Sequence, residues 1–372
     1  MNSPFRVMVV DDSAVIRGLL TRCLESDPAI VVVASVQNGE MAIQKAAKED
    51  LDVVVLDIEM PVMDGLTALP RIIEAKPGIQ VIMASTLTRQ NADVSIKALQ
   101  AGAADYVAKP TTSSEIHSAD AFRRGLVEKV KALGAVAQGR RGGRPEPAGN
   151  RPARTPTAAK PAAPMVDGGS IQLRSASAVA PKAIAIGSST GGPQALLKLL
   201  GELPPSLSQP IFITQHMPAT FTTLLAEHIS RAARLSCAEA RDGEKVVNGR
   251  VYVAPGDYHM EIHAGSDGPR ISLNQGPQEN FCRPAVDPML RSLAAVYGRQ
   301  LLVIILTGMG TDGMRGAKVV VEQGGTVIAQ DEASSVVWGM PGAVANAGLC
   351  SAVLPLQGIA PHLRTSLLRS AA

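Results

Sequence analysis

Apolar positions along this chain follow two alternating rhythms. Short β-branched runs occupy Phe5–Val10, Ile30–Val36, Val53–Asp57, Gln80–Ala84 and Asp105–Val107. Between them, apolar residues recur at helical spacing over Ala14–Ser26, Gly39–Glu49, Gly65–Lys76, Asn91–Ala101 and a last stretch near Ser114–Leu133. Continuous apolar runs of strand length mark strands buried on both faces. Their alternation with amphipathic helices predicts one five-stranded, doubly wound parallel sheet. From about Val179 the same rhythm resumes, with KAIAIG, IFITQ and LLVIILTG as buried strands of a second α/β unit with a mostly parallel sheet.

The rhythm breaks between the two units. From Gly139 to Gly169, proline, glycine and alanine fill 18 of 31 positions, with no aromatic, leucine or isoleucine. Such a segment buries too little apolar surface to offset its ordering entropy and reads as a flexible tether. The expected organisation is therefore a domain over 1–134, a linker over 135–178 and a second domain over 179–372. The tether carries five arginines and Lys160 against Glu146 and Asp167. A basic tether can touch nucleic acid or acidic lipid, but no helix-turn-helix pattern or interleaved aromatics support that reading over a solvated linker.

Composition narrows the classes further. The 372 residues are 46% hydrophobic and 19% charged, which supports sizeable cores. A net charge of +3 is too small for a whole-chain polyanion binder, and one Trp, four Tyr and five Phe do not suit a base-stacking surface. Neither nucleic-acid binding nor membrane insertion is expected. The four cysteines form no CxxC pair, which argues against a zinc ribbon or a disulfide framework. No apolar run approaches the ~18 residues of a membrane span, and the start, MNSPFRVMVVDD, holds no signal-peptide core. A cytoplasmic location is expected.

Ligands of doubly wound sheets sit at the carboxyl ends of the strands. In the first unit those ends carry Asp11 and Asp12, then Asp57, then Ser85 and Thr86, then Lys109-Pro110. Carboxylates converging there repel one another unless a hard divalent cation such as Mg²⁺ sits among them. A carboxylate can then accept a phosphoryl group while metal and lysine neutralise its oxygens. The stretches VDDS, VVLDIEMPVMDG, MASTLT and DYVAKP resemble the receiver domain of two-component response regulators. The resemblance implies phosphorylation of Asp57, with Asp12, Asp57 and the Glu59 carbonyl as Mg²⁺ ligands and Asp11 assisting. It also implies Lys109 as the phosphate-pairing cation, Ser85 as the switch hydroxyl and Tyr106 as the switch aromatic.

In the second unit Gly187, Ser189 and Gly191 fit G-x-S-x-G between a strand and a helix. That turn could also be a helix cap or cradle a phosphate. Two further strands end at His216 and, through Met309-Gly310-Thr311, at Asp312. A serine, a histidine and a carboxylate at three strand ends are the set that nucleophilic acyl transfer needs. The order Ser…His…Asp differs from the Ser…Asp…His of lipase-type hydrolases. GSSTGGP, TQHMP, VYVAPGDYHM and LTGMGTDGM resemble the catalytic domain of the CheB family of chemotaxis protein-glutamate methylesterases.

This second resemblance implies Ser189 as nucleophile, His216 as base and Asp312 as orienting carboxylate, with Met309 in the oxyanion site and Thr190 beside the nucleophile. It implies hydrolysis of glutamate methyl esters and deamidation of glutamines on chemoreceptors, no cofactor for the esterase chemistry, and a chemotaxis histidine kinase as phosphodonor. Ser188 is the rival nucleophile. A response regulator whose second domain only binds a partner or nucleic acid is the alternative function. His259, Glu261 and His263 alternate along a strand and could form a metal set, or simply a polar, half-exposed face. Glu227 and His228 are expected on the solvated side of a helix.

Overall fold

The structure, a computed structural model, describes residues 3–86, 88–109, 116–142 and 171–368. Pro110, the start of the last receiver-like helix and most of the expected tether lie outside them. The first unit alternates strands β1 (Phe5–Val10), β2 (Ile30–Val36), β3 (Val53–Asp57), β4 (Gln80–Ser85) and β5 (Asp105–Ala108) with helices. The helices are α1 (Ala14–Leu24), α2 (Gly39–Lys48), α3 (Gly65–Ala75), α4 (Arg89–Gln100) and α5 (Ile116–Gly142). The strands pair in parallel in the order β2-β1-β3-β4-β5. Strand alternation divides the core: Val7 and Val9 of β1 face one layer of helices, Met8 and Val10 the other.

The second unit comprises β6 (Ala183–Ser188), α6 (Gly192–Gly201), β7 (Ile211–Gln215), α7 (Ala219–Ala233), β8 (Ser236–Glu239) and β9 (Arg250–Val253). A hairpin, β10 (His259–His263) and β11 (Arg270–Asn274), leads to α8 (Val286–Tyr297). The chain closes with β12 (Leu301–Ile305), α9 (Met314–Glu322), β13 (Thr326–Gln330), α10 (Met340–Asn346), β14 (Ala352–Leu354) and α11 (Leu356–Leu368). Seven parallel strands run β14-β13-β12-β6-β7-β9-β8. The chain enters at β6 in the middle, builds outward on the β7 side, then returns to β12 on the other. That reversal opens a crevice at the carboxyl ends of β12, β6 and β7.

The boundaries of the tether differ from those read in the sequence. Helix α5 passes residue 134 and continues to Gly142. Its final turns stay packed: Ala137 is buried, a Cβ on Gly134 would lie 2.5 Å from the Phe5 ring, and Gln138 Nε2 donates to Asp52 Oδ2 at 3.1 Å. Composition alone hides this, because glycine is a poor helix former that packing against β1 retains. At the other end, Arg174 N donates to Cys350 O (2.8 Å) and Ser177 N to Thr326 Oγ1 (2.9 Å), so residues 171–178 lie along the second sheet.

The two units share one continuous apolar cluster. It joins Ile96 and Leu99 of α4 and Tyr106 of β5 to Leu196 and Leu200 of α6 and Phe221 and Leu225 of α7. The face of the first unit bearing α4 and β5 therefore packs on the helices that follow β6 and β7.

Candidate active site and its phosphate-acceptor partner

Strand β6 delivers Ser189 into a turn that only small residues allow. Gly191 sits at φ 76°, left-handed, and a Cβ there would meet Val336 at 2.6 Å. From the neighbouring strand end, a Cβ on Gly308 would lie 2.9 Å from Ser189 Cβ. Ser188, the rival, is buried and hydrogen-bonds Gln215 Oε1 at 2.7 Å, so its hydroxyl is committed to the core. Gln215 in turn donates to Ser189 O at 2.9 Å and fixes the turn from β7.

His216 follows Gln215, and its Nε2 lies 2.7 Å from Asp312 Oδ2. That bond commits Nε2–H to the carboxylate and leaves Nδ1 as the ring nitrogen whose proton can exchange. Asp312 is buried among donors: Val286 N (2.6 Å), Asp287 N (3.1 Å) and Gly313 N (2.9 Å), with Asn280 Nδ2 at 2.9 Å. Two of these amides open α8, so the carboxylate also sits at a helix N-terminus. Burial works to raise the Asp312 pKa, but His216 and the backbone donors outweigh it and hold the group ionised, below its ordinary range.

Nδ1 of His216 does not meet Ser189 in this state. It lies 3.4 Å from Cys282 Sγ, and among the described residues Ser189 Oγ hydrogen-bonds neither ring nitrogen. Burial opposes charge on the imidazole, yet Cys282 and Asp312 together raise its pKa to about 10. Thr190 is buried, and its hydroxyl donates to Asp105 Oδ2 of the first unit at 2.5 Å. Met309 is half-buried in the turn after β12, beside Gly308.

Around the crevice, the first unit lies over the second. Gln194 Nε2 donates to the Leu99 and Ala103 carbonyls, the latter at 2.6 Å. The Tyr106 and Phe221 rings stack at 4.4 Å and 11°. His228 is buried against Asp93 of α4, at 2.9 Å. The solvated position expected for His228 is thus corrected: the face of α7 that carries it is covered by the other unit.

The acidic edge of the first unit also assembles. Ligand oxygens of Asp11, Asp12 and Asp57 lie within 4.8 Å of one another. Lys109 Nζ reaches Asp11 Oδ2 and Asp57 Oδ1, each at 2.6 Å. Burial, aided by Asp11, pushes Asp57 up to about 6 against the pull of Lys109. Three carboxylates against one ammonium leave an excess of negative charge that suits a hard, oxygen-ligated cation. Glu59 lines the same depression of about 490 Å³ beside Asp12. Ser85 is buried at the end of β4 and receives a hydrogen bond from Ser95 Oγ at 3.1 Å. Asp105 holds Lys129 Nζ (2.6 Å) as well as Thr190.

His259, Glu261 and His263 do not form a converging ligand group among the described residues. His259 is buried, not half-exposed, with Nε2 on Pro277 O (2.9 Å) and Nδ1 accepting from Ala285 N (3.3 Å). His263 is exposed and pairs only loosely with Glu261, at 3.6 Å. Residues that sequence reasoning missed are Asn280, Cys282, Asp287, Gln215 and Asp105. The stretch GPQENFCRP signals a loop by its prolines and glycine, but nothing in it signals contact with Asp312 or His216.

Comparison with known proteins places these sites in context. Residues 184–363 match the family described as CheB methylesterase, and residues 7–120 the response regulator receiver domain family. The chain is 56% identical to the protein-glutamate methylesterase/protein-glutamine glutaminase of group 2 operon of Rhodospirillum centenum, covering 100% of this chain and 96% of that one. It is 58% identical to protein-glutamate methylesterase/protein-glutamine glutaminase 1 of Paramagnetospirillum magneticum, over 96% and 95% of the two chains. The crystal structure of the Thermotoga maritima CheB methylesterase catalytic domain is 43% identical, with a TM-score of 0.48, covering 50% of this chain and 98% of that one.

Proposed function

The chain belongs to the CheB methylesterase family, with a receiver domain ahead of the catalytic domain, and from that premise we propose how its residues act. It is a protein-glutamate methylesterase and protein-glutamine glutaminase under the control of its receiver. The substrates are chemoreceptors, and the phosphodonor is a chemotaxis histidine kinase. The relatives' activity and the receiver match support that assignment.

Ser189 Oγ attacks the glutamyl γ-carbonyl carbon while its proton passes to His216 Nδ1. The imidazolium gives that proton to the departing methoxide, or to the amide nitrogen, and methanol or ammonia leaves. Water then attacks the acyl-enzyme with the same base, regenerating Ser189 and leaving a glutamate side chain on the released receptor. Asp312 stays ionised and stabilises the imidazolium through Nε2. Met309 and Thr190 flank the carbonyl oxygen, where removing one oxyanion donor costs about 3–4 kcal/mol.

Control follows from where the receiver lies. Asp105 holds Thr190, the residue after the nucleophile, and Tyr106 lies on Phe221. Asp11, Asp12, Asp57 and the Glu59 carbonyl would hold Mg²⁺, which would neutralise phosphoryl oxygens there. Asp57 accepts the phosphoryl group. Lys109 then exchanges its carboxylate partners for phosphoryl oxygens, and Ser85 leaves Ser95 to donate to them. Both movements act at the carboxyl ends of β4 and β5, and β5 carries the pull back to Asp105 and Tyr106 at its start, which make the interdomain contact. The covered state loosens and substrate reaches Ser189.

The observation that supports this reading is the adjacency of the strand-end segments carrying Ser189, His216 and Asp312, with His216 on Asp312 and Asp105 of the receiver on Thr190. The test is methanol release from methylated receptor membranes by the wild type, Ser189→Ala and Ser188→Ala. Ser189→Ala is expected to abolish release and Ser188→Ala to retain it. The reverse pattern overturns the assignment.

A further inference from the structure

One aromatic ring stands in solvent at the rim of the crevice. Phe281 is 82% exposed in a chain with only five phenylalanines. It occupies φ 61°, beside Asn280 at φ 52°. Left-handed backbone is costly for a phenylalanine. The turn holds it nonetheless: Cys282 N donates to Glu279 O (2.9 Å) and Glu279 N to Cys282 O (3.2 Å).

The turn is fastened on both sides. Glu279 grips Arg291 at 2.5 and 2.9 Å, and Arg283 binds Asp257 at 2.7 Å and the Gly276 carbonyl at 2.9 Å. Within it, Asn280 bonds Asp312 and Cys282 touches His216. Phe281 is therefore carried on a rigid mount between two residues that contact the catalytic pair, with its ring directed outward. Such a ring is placed to meet whatever surrounds the scissile bond.

The receiver explains little of this exposure. Arg124 of α5 lies 5.5 Å from the ring centroid, a contact that leaves most of the ring open. Resting on the methylesterase reading above, we propose that Phe281 is a docking residue for the substrate protein. Its ring packs on apolar side chains next to the modified glutamate and brings the γ-carbonyl to Ser189. Arg124 borders the same ring while the receiver covers the crevice, so receiver and substrate compete there.

Burying a phenylalanine side chain corresponds to roughly 10- to 100-fold in affinity. The test uses full-length protein with a small phosphodonor and Mg²⁺, acting on methylated receptor membranes. Phe281→Ala should raise KM about 10-fold or more and change kcat less than about twofold, and Phe281→Trp should restore KM. Labelling of Ser189 by a small fluorophosphonate, which needs the triad but no docking, should proceed at the wild-type rate in all three proteins.

An unchanged KM in Phe281→Ala overturns the proposal, and so does a fall in labelling that tracks the loss of turnover. A rise in activity without phosphodonor at unchanged KM would make Phe281 a receiver latch only. Wild type that labels but releases no methanol overturns the methylesterase reading itself, and this proposal with it.

Discussion

The Tyr106 ring of the receiver lies flat on the Phe221 ring of the catalytic domain, their centroids 4.4 Å apart. Phe221 stands in the first turn of α7, just after the strand end that supplies His216. Tyr106 is in β5, three residues before Lys109. This stack lies between the strand that leads to Lys109 and the helix that follows His216. Its loss should weaken the cover without touching either chemistry.

Tyr106→Ala should therefore raise esterase activity in the absence of phosphodonor. A stacked aromatic pair contributes about 0.5–1.5 kcal/mol beyond its buried area, which alone gives roughly 2- to 10-fold. The measurement is initial methanol release without phosphodonor, in an Asp57→Ala background that prevents adventitious phosphorylation. Activity at or below the parent's would show that the stack does not hold the cover closed.

Replacing Asp312 by Asn should be severe for a reason the hydrogen bonds supply. The amide can donate where the carboxylate accepted, so His216 loses the partner that fixes Nε2–H and leaves Nδ1 free. Turnover should fall on the order of 10³- to 10⁴-fold with KM little changed. Asn280→Ala should give a smaller loss, because backbone amides of Val286, Asp287 and Gly313 still hold the carboxylate. Single-turnover kinetics would separate the two, and equal losses would contradict this ranking.

The pH profile should report the pair His216 and Cys282. The base works only when deprotonated, so activity falls as pH drops through its pKa. In the covered state that pKa is raised to about 10, burial being outweighed by Cys282 and Asp312. Cys282→Ala removes one of the two groups that favour the cation. The acid limb of kcat/KM should then move to lower pH, and activity at neutral pH should rise. A limb that stays in place or moves upward would show that the thiol does not act on the base.

Much of this was readable from residues alone, and the reasons are specific. Buried strands announce themselves as β-branched runs, and the sheet rule puts Ser189, His216 and Asp312 at the carboxyl ends of strands; that those strands are neighbours emerges only from the fold. What stayed hidden depends on contacts between distant segments. The Glu279–Cys282 turn uses left-handed Asn280 and Phe281 without a glycine to signal it. His228 sits on a helix face that α4 of the first unit covers, with Asp93 2.9 Å from its Nε2. The stretch from residue 135 to Gly142 reads as tether because its composition is poor in large apolar residues, while its helix is held by Gly134 against Phe5 and by Gln138 on Asp52.

Control of the enzyme turns on whether phosphorylation of Asp57 uncovers Ser189. Methanol release by the full-length chain, measured with and without a small phosphodonor and Mg²⁺, addresses this most directly. A shift of about 2–3 kcal/mol from covered to open, starting from a mostly covered population, gives roughly a 30- to 150-fold rise. The wild type should show that rise, Asp57→Ala should show none, and Asp57→Ala should retain the low basal rate. Activation of Asp57→Ala by the donor, or a wild-type rate indifferent to it, would contradict the account.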